Sequence, residues 1–291
     1  MEALTDFLEA VVGYDFRILW TAGRVVLEGG SPYAVPGFFY PVNFAWFMAP
    51  FGLLPVQAAY IVLIVLSLAA LRALKPARKV YVFAPVVYAL FIGQFDLVFL
   101  VLGLAGGWVG LALATLKPQI GIWLVIYQFY CWRKDGREKI RNTLIGVGVI
   151  YAFPFLVDPG WFGDWLAASP GFLDYASHSA SLFGIGRLVP WDWATSTVLI
   201  AVLGSVLVIY EFRRGRLQAR YWEYVTLFNP LAHVYSLSML YARIDWIAVG
   251  LSWFLIVLRF ALGSGLPMVG IPIYLYIKSA SASDRSSNHE A

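Results

Sequence analysis

An all-α, polytopic membrane protein is the fold class this sequence predicts, and three observations carry the prediction. Hydrophobic residues make up 60% of the 291 and charged residues only 13%, with a mean hydropathy of +0.73, well above what a soluble domain shows. The apolar residues fall in long uncharged runs, 56–71, 97–116, 142–157 and 193–210. As a helix rising about 1.5 Å per residue, each covers most or all of a hydrocarbon layer about 30 Å thick. Aromatic residues reach 17%, with Trp46, Trp108, Trp123, Trp132, Trp161, Trp165, Trp191, Trp193 and Trp222 near run ends or loops, the interfacial position that Trp favours. Alternating apolar and polar strands are absent, which argues against a barrel.

Taken in order, Met1 to Val12 carries Glu2, Asp6 and Glu9 and no basic stretch, so no cleavable signal peptide is expected. Residues 14–37 are polar enough for an outside loop with short interfacial helices, and 38–55 form a short apolar piece interrupted by proline. Basic clusters then mark cytoplasmic loops: Arg72, Lys75, Arg78 and Lys79; Arg133 to Arg141; Arg213, Arg214, Arg216 and Arg220; and Lys278. Residues 80–132 read as four short helices, broken at Gly93-Gln94, Gly106-Gly107 and Lys117-Pro118. Residues 143–157 cross outward to a long external loop, 158–192, and 194–212 return. A break follows at Asn229-Pro230, and helices near 232–242, 246–262 and 266–277 complete the set, roughly nine to ten membrane helices, several of them short. Residues 1–278 are thus expected to be a single membrane domain with external loops at 13–37 and 158–192. The Ser-rich tail, 279–291, reads as disordered.

The formal charge of +4 is spread over the basic loop clusters, which read as topology signals rather than as a nucleic-acid face. Cys131 is the sole cysteine, so neither an intrachain disulfide nor a cysteine metal cluster is available. The aspartates of the external loop lack the spacing of a metal site, and no metal or cofactor is expected.

Charged groups inside a bundle cost several kcal/mol unless paired or wet, so each needs a reason. The candidates are Asp15, Arg17, Gln94, Asp96, Lys117, His178, Arg187, His233, Arg243, Asp245 and Arg259. Asp15, in Gly13-Tyr14-Asp15-Phe16-Arg17, is a carboxylate flanked by aromatics and suited to accept a proton from a sugar hydroxyl; a helix cap or an ion pair with Arg17 accounts for it as well. Lys117 either binds a lipid phosphate as a point charge or snorkels to the headgroups. Gln94 and Asp96 line a sugar pocket or cap a short hairpin. His233, close to Tyr235 and Ser236, holds a phosphate or hydroxyl, or makes an interhelical hydrogen bond.

Read together, five blocks resemble the GT-C class of polytopic glycosyltransferases, and within it the polyprenol-phosphate-mannose-dependent mannosyltransferases of glycosyltransferase family 87. Asp15-Phe16 followed by Glu28-Gly29-Gly30-Ser31-Pro32-Tyr33 is similar to the family's Asp-Phe and Gly-x-x-Pro-Tyr. Phe39-Tyr40-Pro41 stands where the family has Tyr-Pro-Pro, with Val42 replacing the second proline. Gly93-Gln94-Phe95-Asp96 is similar to Gly-Gln-x-Asn, and Ala114-Thr115-Leu116-Lys117-Pro118 to a helix-end lysine and proline. Ser181-Leu182-Phe183-Gly184 with Arg187 resembles an Asn-Gln-Ser-Leu-x-Gly block, Ser179 and Ala180 replacing the Asn-Gln. Asn229-Pro230 with His233 and Tyr235 gives a further, weaker signal. The family's spanning helix ahead of the aspartate has no counterpart in the short, acidic Met1 to Val12.

The resemblance implies a multi-pass cell-membrane enzyme with its site on the external face, transferring a hexose, mannose first, from a polyprenyl-phosphate donor to a lipid or glycan acceptor. It makes Asp15 the general base of an inverting transfer, Lys117 or Arg187 the cation for the departing phosphate, and Tyr33, Gln94, His233 and Tyr235 pocket residues. The other reading is a non-catalytic lipid-phosphate binding or flippase-like protein, which needs Lys117 and Arg187 and is indifferent to Asp15.

Overall fold

The computed structural model describes residues 12–168, 179–187 and 193–287, and among them every regular element is helical. They form two compact units, Met1–Lys75 with Tyr88–Leu173, and Pro76–Val87 with Asp174–Ala291.

In the first unit, α1 (Tyr14–Leu27) turns Phe16, Leu19, Ala22 and Gly23 to the interior, the three- and four-residue spacing of one helix face. It packs along α2 (Val42–Gly52). Trp20 Nε1 donates to the Phe51 and Leu54 carbonyls, satisfying acceptors that the end of α2 would otherwise leave open. Helix α3 (Val56–Ala73) is long and apolar enough to cross a membrane by itself. It buries a single stripe, Ala59, Leu63, Ser67 and Leu71, and exposes Ile61, Val65 and Leu66. Such an all-round apolar helix is at rest only with lipid on its outer face.

The four short helices expected between residues 80 and 132 are present as α4 (Ala84–Ile92), α5 (Asp96–Ala105), α6 (Gly107–Ala114) and α7 (Pro118–Trp132). Together α4 and α5 have the length and hydropathy of a span, but they bend by 113° at the Gly93–Phe95 break. Helix α8 (Arg137–Ala152) continues as a 3₁₀ turn to Leu156 and meets α9 (Trp161–Ala168) at 102°. Within the stretch expected to be a loop, Trp165 Nε1 donates to the Phe39 carbonyl at 3.0 Å, tying α9 back to the unit.

The second unit holds α10 (Trp193–Arg213), α11 (Leu217–Phe228), α12 (Trp246–Leu262) and α13 (Gly270–Ser287). Helix α11 stops at Asn229, whose Oδ1 accepts from Leu231 N–H across Pro230, so the Asn-Pro break falls where the sequence sets it. Three features differ from expectation. Arg220, grouped above with the loop cations, is buried and paired with Glu211 at 3.0 Å, because the turn at Gly215 folds α10 and α11 into a hairpin that brings the two face to face. The helix expected near 232–242 is a 3₁₀ segment, Val234–Leu240, with every residue buried. Helix α13 runs to Ser287, through residues whose composition reads as tail.

Just ahead of α12, Asp245 caps that helix: Oδ1 accepts from Ala248 N–H at 2.7 Å, while Oδ2 accepts from the Tyr274 hydroxyl at 2.8 Å and from Lys278. Burial acts to raise its pKa, but the Lys278, Ala248 and Tyr274 donors outweigh it and hold the carboxyl at about 2, below the ordinary 3.8. The folded value lies below the unfolded one, so the stabilisation is complete above the ordinary carboxylate range and disappears as pH falls through about 2. Asp245→Ala is expected to cost about 1–2 kcal/mol at neutral pH. Unfolding curves of variant and parent should converge between pH 4 and 2.

Candidate active site

Four polar side chains that are distant in sequence meet in the first unit. Gln94 Nε2 donates to Asp15 Oδ2, Lys117 Nζ donates to Gln94 Oε1, and the same Nζ donates to Asp96 Oδ2. Lys117 and Asp96 are 0% exposed and Gln94 is 3% exposed, whereas Asp15 is half-buried and Tyr14 beside it is exposed. The chain of contacts thus runs from the interior out to a carboxylate near the surface. Tyr40 completes it: its ring lies 5.9 Å from Lys117 Nζ.

The backbone explains why these groups converge. Lys117 precedes Pro118, the first residue of α7, and a residue before proline is held out of the helical region; Lys117 sits at φ −110°, ψ 84°. Gly121 keeps α7 close behind it, since a Cβ there would stand 2.4 Å from the Ala114 carbonyl oxygen. At the α4–α5 break, Gly93 has φ +82°, and a Cβ on it would stand 2.4 Å from Phe16 Cβ and 3.0 Å from Tyr60 Cε2. Only glycine lets α1 approach closely enough for Gln94 to reach Asp15. Gly93→Ala combines left-handed strain with overpacking, an expected cost of about 2–4 kcal/mol. Unfolding of the purified variant measures it; loss of transfer should accompany it.

Between Gln94 and Asp96, Phe95 points the other way, into a buried aromatic cluster with ring centroids 5.5 Å from Phe51, 5.6 Å from Phe47 and 6.1 Å from Phe44. Packing of this ring fixes the two polar neighbours on the opposite side of the turn. The open end of α4 is closed by protein groups: the Tyr60 hydroxyl donates to the Leu90 and Phe91 carbonyls at 2.8 and 2.9 Å, and Gly13 N–H reaches Phe91 oxygen at 2.8 Å.

Of the expected site residues, Asp15, Gln94 and Lys117 are brought together. Lys117 neither snorkels nor faces headgroups in this arrangement. Asp15 lies in the first turn of α1, whose N-cap is Gly13 without a side-chain cap bond, while Arg17 Nη1 donates to the Val12 carbonyl. Tyr33 belongs to a 3₁₀ turn, Pro32–Ala34, that packs on Phe38 at 6.0 Å and on α9. Arg187 ends the Leu182–Arg187 turn of the second unit. There the Ser179 hydroxyl donates to the Ala232 carbonyl at 2.9 Å, joining the Ser-Leu-x-Gly block to the Asn-Pro block beside His233. His233 precedes the buried 3₁₀ segment and its ring lies 5.3 Å from Tyr235. His178 lies outside the described residues. The place of Tyr40 beside Lys117 was missed; the signal was the aromatic-proline pair Tyr40-Pro41. Among the described residues, no three or more His, Cys, Asp or Glu side chains gather as metal ligands.

Comparison with known proteins adds one finding. Residues 38–236 match glycosyltransferase family 87, and no curated protein or solved structure matches the chain. The match includes Gln94, Lys117, Arg187, His233 and Tyr235 and begins downstream of Asp15 and Tyr33. It covers well over half of the chain, and an all-helical, lipid-facing architecture with a buried polar site accords with it. A membrane protein acting between a sugar donor and an acceptor, the chain belongs to glycosyltransferase family 87.

Proposed function

We propose that this protein transfers a hexose, mannose in the first instance, from a polyprenyl-phosphate donor to a lipid or glycan acceptor on the external face of the cell membrane. Asp15 serves as general base: it takes the proton of the acceptor hydroxyl as that oxygen bonds the anomeric carbon. The bond from that carbon to the phosphate oxygen breaks, and polyprenyl phosphate departs with the electron pair. Attack from the face opposite the leaving group inverts the anomeric centre. Tyr33 is proposed to shape the acceptor side, and Arg187, His233 and Tyr235 to bind the donor.

The observation that carries this reading is the half-buried Asp15 carboxylate held by Gln94, a residue of the family-matched segment, at the outer end of a buried polar chain. A base needs both features, access to the substrate and a fixed orientation. The test is incubation of purified protein with radiolabelled polyprenyl-phosphate mannose and a membrane lipid extract, beside Asp15→Asn. Label entering product only with the parent protein supports the reading. Donor binding without transfer by either protein overturns it in favour of the carrier-binding alternative.

A further inference from the structure

We propose that Gln94 and Lys117 are positioning residues that act on the reaction through Asp15, and that Lys117 is not a ligand of the donor phosphate. This rests on the reading of Asp15 as the base. Gln94 stands between an ammonium and a carboxylate, and an amide there has one workable orientation, its oxygen toward Lys117 and its N–H toward Asp15. The flipped amide would set oxygen against carboxylate and N–H against N–H. Lys117 therefore decides which way Gln94 points, and Gln94 decides the plane of the Asp15 carboxylate. With Oδ2 held, the direction from which Oδ1 meets a substrate proton is set.

Lys117 cannot serve the phosphate at the same time. Its Nζ lies within a side chain that is 0% exposed and is shared between Gln94 and Asp96. Drawing it out would strand Asp96, also 0% exposed, as an uncompensated buried charge. The titratable and charged groups packed around this chain are Tyr40, Asp96 and Lys117, with Arg17 on the same helix as Asp15 and Tyr60 against Phe16. Gln94 is thus held at both ends of its amide, and the Tyr40 ring lies 5.9 Å from Lys117 Nζ.

The test separates turnover from donor binding. Gln94→Glu keeps an acceptor for Lys117 and loses the donor to Asp15, and Gln94→Met removes both. Each is expected to lower kcat roughly 10- to 100-fold, the value of a hydrogen bond to a charged group, with the donor KM within about threefold of the parent. Lys117→Met is made together with Asp96→Asn, so that no buried charge is left alone, and the same split is expected. Melting in detergent identifies variants that fold; where the paired variant does not, Gln94→Glu decides. A folded Gln94 variant with unchanged kcat overturns the proposal. So does a Lys117 variant whose loss lies in a donor KM raised tenfold or more. Asp15→Asn in the same assay keeps the two readings apart: normal turnover there sinks the assignment of the base, whereas an inactive Asp15→Asn beside an unimpaired Gln94→Glu sinks only the positioning roles.

Discussion

Asp15→Asn is expected to reduce sugar transfer by roughly 10²- to 10⁴-fold, the contribution of a well-placed general base. The replacement keeps the size of the side chain and leaves an oxygen that can still accept from Gln94 Nε2. Fold and donor binding should therefore persist, and the loss should fall on kcat. Single-turnover transfer of labelled sugar, with the donor dissociation constant measured in parallel, reads both quantities. A variant that unfolds, or that loses the donor rather than turnover, would show Asp15 to be a structural or binding group instead.

The second large effect is on stability. Lys117→Met alone leaves Asp96 fully buried with no countercharge, which costs about 3–5 kcal/mol. Asp96 Oδ1 already lacks a hydrogen-bond partner, so the site has no spare donor to take over. Adding Asp96→Asn to the same chain removes the stranded charge, and the double variant is expected to be more stable than Lys117→Met alone. Unfolding in graded denaturing detergent, followed by tryptophan fluorescence, measures the difference. Independent, additive losses would contradict a coupled pair.

Much of the architecture was legible in the residues. Gly93-Gln94, Gly106-Gly107, Lys117-Pro118 and Asn229-Pro230 all mark helix boundaries, because glycine and proline act on the backbone of their own neighbourhood and need no distant partner. What failed depends on distant contacts. Arg220 reads as a loop cation until the α10–α11 hairpin lays it against Glu211. The segment after Asn229-Pro230 has the apolar content of a helix, but it winds as a short buried 3₁₀ turn. The site divides in the same way. Each of Asp15, Gln94, Asp96 and Lys117 was visible as a polar residue at a costly position. Their convergence was not, since Gln94 lies 79 residues from Asp15 and 23 from Lys117, and only the Gly93 approach and the Pro118 turn close those gaps.

The closed end of α4 has a consequence for the reaction itself. A helix stopping in apolar surroundings normally recruits solvent to its last carbonyls. Here Tyr60 and Gly13 occupy that place, so the turn beside Asp15 can be built without admitting water. Water is the commonest rival nucleophile for an activated sugar, and an enzyme that lets it in spends its donor on hydrolysis. On the proposed reading of Asp15 as the base, a tyrosine hydroxyl standing in for solvent there would favour transfer over hydrolysis of the donor.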